Sequence, residues 1–529
     1  MLRRWTRTTS APPTAPDPAL RGTRPSALLL LSAALIGGSS ILSFQPFGWW
    51  PLQFLALAWL FYQVGMGNSV KRATLVGWAF GFGWSVAGMH WLSVLMTRFA
   101  HLPVLLAAVA IVLLGLYMGL FAAGAAGAAT WLRRRWSLPV AAFLLLVLPV
   151  AWGVSEWLRG WIFTGFPWAS SGYAHDLAPL AGYAPLVGIY GIGVLVGVGA
   201  GCIAMLTQRA RWPAVGLLAA LLAVGAGLRT VEWTQETGQP ISVRLLQGNI
   251  PQDRKFDMEF LTSIVTRYHG MITAAPADLI ATPETAIPVF PHNLPDGYLD
   301  GLQAFATRTG STVTIGMPLQ DGPSQYGNSL VALSPEPKPY RYDKAHLVPF
   351  GEFIPPGFRW FTDILNIPLS DATRGAALQA PFAVKDQWVL PNICYEDVFG
   401  EEIAYQLRNA PQPATVLLNV SNLSWYGQSV AIPQHLQISR MRTLETGRPM
   451  LRSTNDGATA VIDHRGNITQ VLPFYTDGVL AATVRGASGM TPFVRLGNAA
   501  FLIVGALMLL GAWVAGRRYR VGLAAAPAR

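Results

Sequence analysis

The chain has 529 residues, of which 52% are hydrophobic and only 12% are charged. A soluble protein of this size carries roughly a quarter charged residues, so much of the chain must face lipid. The net charge of +11 is not a nucleic-acid footprint, because the arginines sit at the ends of apolar segments rather than on one patch. Two distant cysteines, Cys202 and Cys394, exclude a disulfide framework and leave the redox compartment open.

Residues 1–25 are rich in Arg, Thr and Pro and read as a disordered cytoplasmic lead. Apolar segments follow at Ser26–Phe44, Pro51–Met66, Ala73–Met96, Pro103–Leu132, Leu138–Leu158, Ala181–Leu206 and Pro213–Leu228, and an eighth at Val494–Ala515. Most approach the ~20 residues that span a bilayer as a helix. Six further spans make the first an uncleaved helix rather than a signal peptide. With the N-terminus inside, fifteen lysines and arginines of the short connections and termini fall on the cytoplasmic side, against Arg98 and Arg159 outside. That asymmetry places residues 229–493 on the outer face and residues 516–529 back in the cytoplasm. The expected organisation is a membrane domain at 26–229, an outer domain at 240–485 and a closing span at 494–515. Glu156 and Arg159, three apart near the outer end of the fifth span, form either an interfacial ion pair or a substrate contact.

The outer domain reads as layered α/β. Short strands are expected at Ile241–Ile250, Ala277–Thr282, Ser311–Gly316, Ser329–Leu333, Pro339–Tyr342, Thr415–Val420, Ala458–Ile462 and Leu480–Val484. The apolar run Phe382 to Ile393 supplies one or two more. Helical periodicity marks Met258–Thr273, where Leu261, Ile264, Val265, Tyr268 and Ile272 share a face, and Pro433–Thr446.

Three strand ends carry a reactive residue. Glu284 in Pro283-Glu284-Thr285-Ala286 follows a buried strand, where a dry cleft would raise a carboxyl toward general-base duty; its ordinary reading is a loop carboxylate or helix cap. Lys344 stands in an apolar run, as an oxyanion stabiliser or as a snorkelling lysine. Cys394, followed at once by Tyr395 and Glu396, is a candidate nucleophile; alone it reads as a core thiol. Cys202, inside a hydrophobic segment, reads as inert filler, and His346 and His435 as structural hydrogen-bonders. No His/Cys/Asp cluster has metal-ligand spacing.

Glu284, Lys344 and Cys394, in this order, resemble the triad of the nitrilase, or carbon–nitrogen hydrolase, superfamily. The motifs that carry the likeness are Gln247-Gly248-Asn249-Ile250-Pro251-Gln252, Pro283-Glu284-Thr285-Ala286, Lys344 through Glu352, Cys394-Tyr395-Glu396, and Gln434-His435-Leu436 through Arg448-Pro449. Together with eight spans, they make residues 26–515 resemble the membrane-bound apolipoprotein N-acyltransferase family of the bacterial inner membrane. The resemblance implies a polytopic helical domain plus an αββα sandwich. It implies that Glu284 is the general base, Lys344 the oxyanion stabiliser and Cys394 the nucleophile, with Glu352 orienting Lys344, and with Tyr395 and Glu396 shaping the site. It further implies a phospholipid acyl donor, a diacylglyceryl-apolipoprotein acceptor, a thioester intermediate and no cofactor. Two departures stand out. Phe256 follows Lys255 where many members carry Trp, and Ser421-Asn422-Leu423-Ser424-Trp425-Tyr426-Gly427 lacks the usual acid at Leu423.

The run Phe353 to Leu369, with Trp360 and Phe361, would be an aggregation hazard on a soluble domain but suits a loop dipping into lipid. Phe256, Trp425 and Tyr426 are further candidates for lipid contact. A membrane-tethered amidase, and a transporter with an outer ligand-binding domain, remain the alternatives; the few charges within the spans argue against the second.

Overall fold

The computed structural model describes residues 24–208, 211–322, 325–336, 339–355, 357 and 372–524. The expected disordered lead lies almost wholly outside them, as do Trp360 and Phe361.

Among the described residues, five helices are long and apolar enough to cross a membrane: Val104–Trp136, Val140–Arg159, Pro179–Thr207, Arg211–Leu228 and Ala499–Gly522. Three more helices, Ala27–Ser39, Trp50–Met66 and Val70–Met89, occupy the remaining expected segments. The last helix continues to Ala524, past the expected end of the span, with Arg517 laid over the Trp513 ring. Side chains such as Leu105, Leu113, Leu120, Leu507 and Leu510 are exposed on these helices, which suits a lipid-facing surface. Contact between helices relies on small residues. A methyl group on Gly37 would collide with the Phe80 carbonyl, and one on Gly83 with the Ala34 carbonyl, so Ala27–Ser39 and Val70–Met89 pack backbone to backbone.

The portion from Gln235 to Ser488 is an αββα sandwich. One six-stranded sheet has the order β12-β1-β2-β3-β4-β5, with β1 Gln235–Gln247, β2 Leu279–Ala281, β3 Thr312–Gly322, β4 Gln325–Leu333, β5 Tyr340–Asp343 and β12 Gly478–Ser488. The other has the order β11-β10-β9-β8-β7-β6, with β6 Phe382–Val384, β7 Gln387–Ile393, β8 Val416–Ser421, β9 Met450–Thr454, β10 Ala460–Ile462 and β11 Ile468–Val471. The apolar run before Cys394 is thus two strands, turned at Lys385 with a left-handed φ of 54°.

Apolar side chains of both sheets, including Val243, Leu245, Leu330, Ile393, Leu418 and Leu451, form the layer between them. Helices Met258–Thr273 and Tyr298–Thr309 cover one outer face, and Gly400–Asn409 and Ala431–Thr446 the other. Strands β1, β2 and β3 run parallel, as do β7, β8 and β9. The carboxyl ends of parallel strands release loops into one crevice, where α/β sheets bind ligands. Ser453 of β9 donates to the carbonyl oxygens of Leu246 (3.1 Å) and Ala281 (2.9 Å), stitching the sheets together beside that crevice.

Candidate active site

Each of the three expected residues leaves the end of a strand. Glu284 follows β2, and its loop is tied to β3 by Thr282 N–H to Thr314 O (3.1 Å) and Ile287 N–H to Gly316 O (3.0 Å). Lys344 follows β5 directly, and its backbone N–H donates to Asn328 O at 2.9 Å. Cys394 follows β7 with a left-handed φ of 52°, an uncommon conformation that turns the chain sharply into a 3-10 turn over Cys394–Val398.

The structure brings these side chains together. Lys344 is buried, with Nζ 3.1 Å from Glu284 Oε1 and 2.8 Å from Glu352 Oε1. The Asn328 amide donates to the same two oxygens, each at 2.8 Å. Glu284 Oε2 accepts the Asn422 backbone N–H at 3.0 Å, and the charges of Glu284, Lys344 and Glu352 all act on the Cys394 thiol. Glu352 Oε2 also receives the Val348 N–H at 2.8 Å.

The electrostatics follow from this packing. Burial opposes ionisation of Glu284, but Lys344, the Asn328 amide and Lys255 together outweigh it and hold the carboxyl below its ordinary range. Burial likewise opposes the charge on Lys344, and the carboxylates of Glu284 and Glu352 reverse that, keeping it a cation. The Cys394 thiol is pushed well up by burial and by Glu284, against the pull of Lys344. Burial and pairing thus favour an ionised Glu284 carboxyl, a charged Lys344 ammonium and a protonated Cys394 thiol.

Glu396 links the segments that carry Lys344 and Cys394. Its carboxylate accepts the Ala345 N–H (2.6 Å) and His346 N–H (3.2 Å) beside Lys344, the Ile393 N–H (2.6 Å) beside Cys394, and the Tyr342 hydroxyl (3.0 Å). Burial raises its pKa to about 7. Tyr395 points the other way, its hydroxyl donating to Gly165 O at 2.9 Å in the loop after Val140–Arg159. His346 stacks on Phe399 and bridges Glu402 and Thr164 O, so it is a structural hydrogen-bonder.

Of the proposed lipid contacts, Phe256 is 59% exposed. Trp425 packs edge-on against Phe99, and Tyr426 against Trp91, joining the crevice to the helical portion. Leu423, in place of the usual acid, is buried in an apolar cluster with Ile432 and Leu436. Glu156 and Arg159 grip the loop that faces the sandwich: Glu156 accepts Ser171 N–H and Oγ–H, and Arg159 donates to Trp168 O and Ser170 Oγ.

Two neighbours escaped the reading from sequence. Asn328 precedes Ser329 in a strand whose polar residues carry no motif. Lys255, noted above only as the residue before Phe256, is 1% exposed, with Nζ 3.4 Å from the Glu284 carbonyl and a pKa lowered by burial to about 8. Its signal was the lysine itself, scarce in this chain and set just after the motif that ends at Gln252.

Residues 36–202 match the family described as the apolipoprotein N-acyltransferase N-terminal domain, and residues 242–489 match carbon-nitrogen hydrolase. An apolipoprotein N-acyltransferase of Ralstonia nicotianae is 48% identical over 494 residues, covering 93% of this chain and 94% of the relative. The chain belongs to the apolipoprotein N-acyltransferase family. A second relative of that name, from Nitrosomonas europaea, is 41% identical and covers 92% of this chain and 98% of its own length. Among solved structures, a CN-hydrolase superfamily protein of Xanthomonas campestris is 17% identical with a TM-score of 0.34, covering 47% of this chain and 91% of that protein. An amidase of the nitrilase superfamily from Nesterenkonia gives the same identity and score over 49% of this chain and 95% of its own. Membership of this family makes the chain an acyltransferase.

Proposed function

We propose that the protein transfers a fatty acyl chain from a phospholipid, through a thioester on Cys394, to the α-amino group of the N-terminal diacylglyceryl-cysteine of apolipoproteins. The observation that carries this reading is the buried Lys344 ammonium held 3.1 Å from the Glu284 carboxylate and 2.8 Å from that of Glu352, with all three groups acting on the Cys394 thiol.

In the first half-reaction, Glu284 takes the thiol proton as sulfur attacks the donor ester carbonyl. Because the resting thiol is pushed up and the carboxyl held down, proton transfer in the empty site is uphill. It proceeds only as the carbon–sulfur bond forms. The oxyanion gains the Lys344 ammonium and the Tyr395 backbone N–H. Collapse breaks the ester carbon–oxygen bond, Glu284 returns the proton to the glycerol oxygen, and a lysophospholipid leaves. In the second half-reaction Glu284 takes a proton from the acceptor amine, which attacks the thioester. The amide forms, the thiolate leaves, and it recovers the proton. One site used twice gives ping-pong kinetics.

Orientation follows from the charge asymmetry, with eight spans, both termini cytoplasmic and the sandwich on the periplasmic face. Contacts of Trp425, Tyr426, Tyr395 and His346 with the helical portion support a crevice that opens toward the outer leaflet.

The test is incubation of purified protein with phospholipid carrying labelled acyl chains. A hydroxylamine-labile label should appear on the protein, persist until an amine acceptor arrives, vanish in Cys394→Ala and survive in Cys202→Ala. Label shed as free fatty acid would favour an amidase-like hydrolase, and a protein that never takes label would overturn the proposal.

A further inference from the structure

Arg452 lies fully buried on β9 and meets the nucleophile turn at Asp397 and, through His435, at Cys394. Its Nη1 contacts Asp397 Oδ2 at 3.3 Å, three residues after Cys394, with Ser439 Oγ bonded to both groups. Its Nη2 lies 2.9 Å from His435 Nδ1. A guanidinium can only donate, so Nδ1 is the acceptor and the proton of the neutral ring resides on Nε2. That Nε2 is 3.2 Å from the Cys394 carbonyl oxygen and donates to it. Trp168 stacks on the other side of the buried ring, 5.8 Å between centroids at 12°, and donates its indole N–H to the neighbouring Gln434 at 2.8 Å.

A peptide unit is planar and trans, so its C=O and N–H point in opposite directions. Fixing the Cys394 carbonyl therefore fixes the Tyr395 N–H. As the second residue of a 3-10 turn, Tyr395 has an N–H with no acceptor within that turn. We infer that His435, locked in one tautomer by Arg452, is a positioning residue that aims the Tyr395 N–H at the oxyanion formed on acylation of Cys394. This rests on the acyl-transfer reading above. His435 touches no substrate; it acts through the peptide plane. The left-handed backbone at Cys394 explains why such a clamp is needed, since that conformation is held by its surroundings rather than preferred by the residue.

The test uses full-length protein in phospholipid–detergent micelles with Cys202→Ala, so that Cys394 alone reacts. Two rates are compared: acylation from labelled phospholipid, which builds an oxyanion, and alkylation by iodoacetamide, which does not. His435→Leu should slow acylation about 10²-fold, the scale of losing one oxyanion donor, while alkylation changes less than threefold. His435→Gln, which keeps both a donor and an acceptor, should retain acylation to within tenfold. His435→Glu has nearly the same shape and can pair with Arg452, but cannot donate when ionised, and should fall with the Leu variant. Equal acylation by the Gln and Glu variants, an unimpaired Leu variant, or parallel loss of acylation and alkylation would each overturn the inference. If the parent protein took no label while still being alkylated, the acyl-transfer reading itself would fall, a result distinct from all of these.

Discussion

The Asn328 amide lies 2.8 Å from the Glu284 carboxylate and 2.8 Å from that of Glu352, on the same oxygens that flank the Lys344 ammonium. Two carboxylates are thus held around two donors, and Glu284 is kept ionised below its ordinary value of 4.5. Asn328→Leu removes a bond that favours the charged form, so the Glu284 pKa rises. Activity that needs the free base is lost as pH falls through that pKa, so the acidic limb of acylation shifts to higher pH. A profile of kcat/KM from about pH 4 to 8 should show this shift, with a loss of at least roughly tenfold at neutral pH. An unmoved limb would remove Glu284 from the role of base.

Lys344 is 1% exposed between its two partners, so its removal leaves like charges facing each other in a dry site. Lys344→Met should abolish thioester formation and cost about 3–5 kcal/mol of stability, the scale for breaking a buried ion pair from one side. Adding Glu352→Gln should restore much of the stability and none of the activity. Thermal unfolding of the two variants, beside their acylation, separates electrostatic support from chemistry.

The strands that deliver Glu284, Lys344 and Cys394 were legible because each alternates or runs apolar into a turn, and because their end residues are chemically unusual in that setting. The helix Met258–Thr273 was legible to the residue, since Asp257 caps it and one apolar face repeats cleanly. Strand β11, Ile468–Val471, was not: it is a short edge strand with three of its four residues exposed, so no burial pattern marks it. Asn328, Lys255 and Arg452 were illegible for another reason. Their importance lies in which neighbour the fold sets beside them, 16 to 44 residues away in the bonds they make to Glu284, Glu352, Lys344 and His435, and no local spacing encodes that.

Gly316 of β3 backs directly onto the loop of the proposed base. A methyl group there would collide with the Pro283 carbonyl and lie 2.8 Å from Thr285 N and 3.0 Å from Glu284 Cα. Gly316→Ala must therefore push Glu284 off its position. Acylation should fall by roughly 10- to 100-fold, since a misplacement of about 1 Å can cost that much. Around Gly301, on the helix Tyr298–Thr309, an added methyl would meet nothing within 4 Å. Gly301→Ala is the matched control and should stabilise by about 0.5–1 kcal/mol without touching the rate.

The sandwich is joined to the helical portion through a buried carboxylate. Glu445 accepts the Ile189 N–H at 2.9 Å, just after Gly188 breaks the helix Pro179–Thr207 with a φ of 62°, and pairs with Arg442 at 3.1 Å. Glu445→Ala strands the Arg442 charge and frees the Ile189 N–H, and should cost about 3–5 kcal/mol. Glu445→Gln keeps an acceptor for Ile189 and should cost less. If unfolding measurements placed the two variants together, the link between the two portions would not run through this bond.

Leu423 tests whether the family's usual acid would help here. The side chain is 1% exposed and lies in an apolar cluster with Ile432, Leu436 and Ala458. Leu423→Asp would put a carboxylate into an apolar pocket, where it must either take up a proton or force the loop open, at a cost of a few kcal/mol. Since Asn422 supplies its backbone N–H to Glu284 from the adjacent position, opening the loop also moves that donor. Restoring the common residue should therefore lower both the unfolding temperature and the acylation rate, whereas Leu423→Met should cost less than about 1.5 kcal/mol and leave acylation intact. A gain of activity in Leu423→Asp would mean that the pocket can present an acid to the crevice, and that Leu423 is a loss rather than a replacement of function by packing.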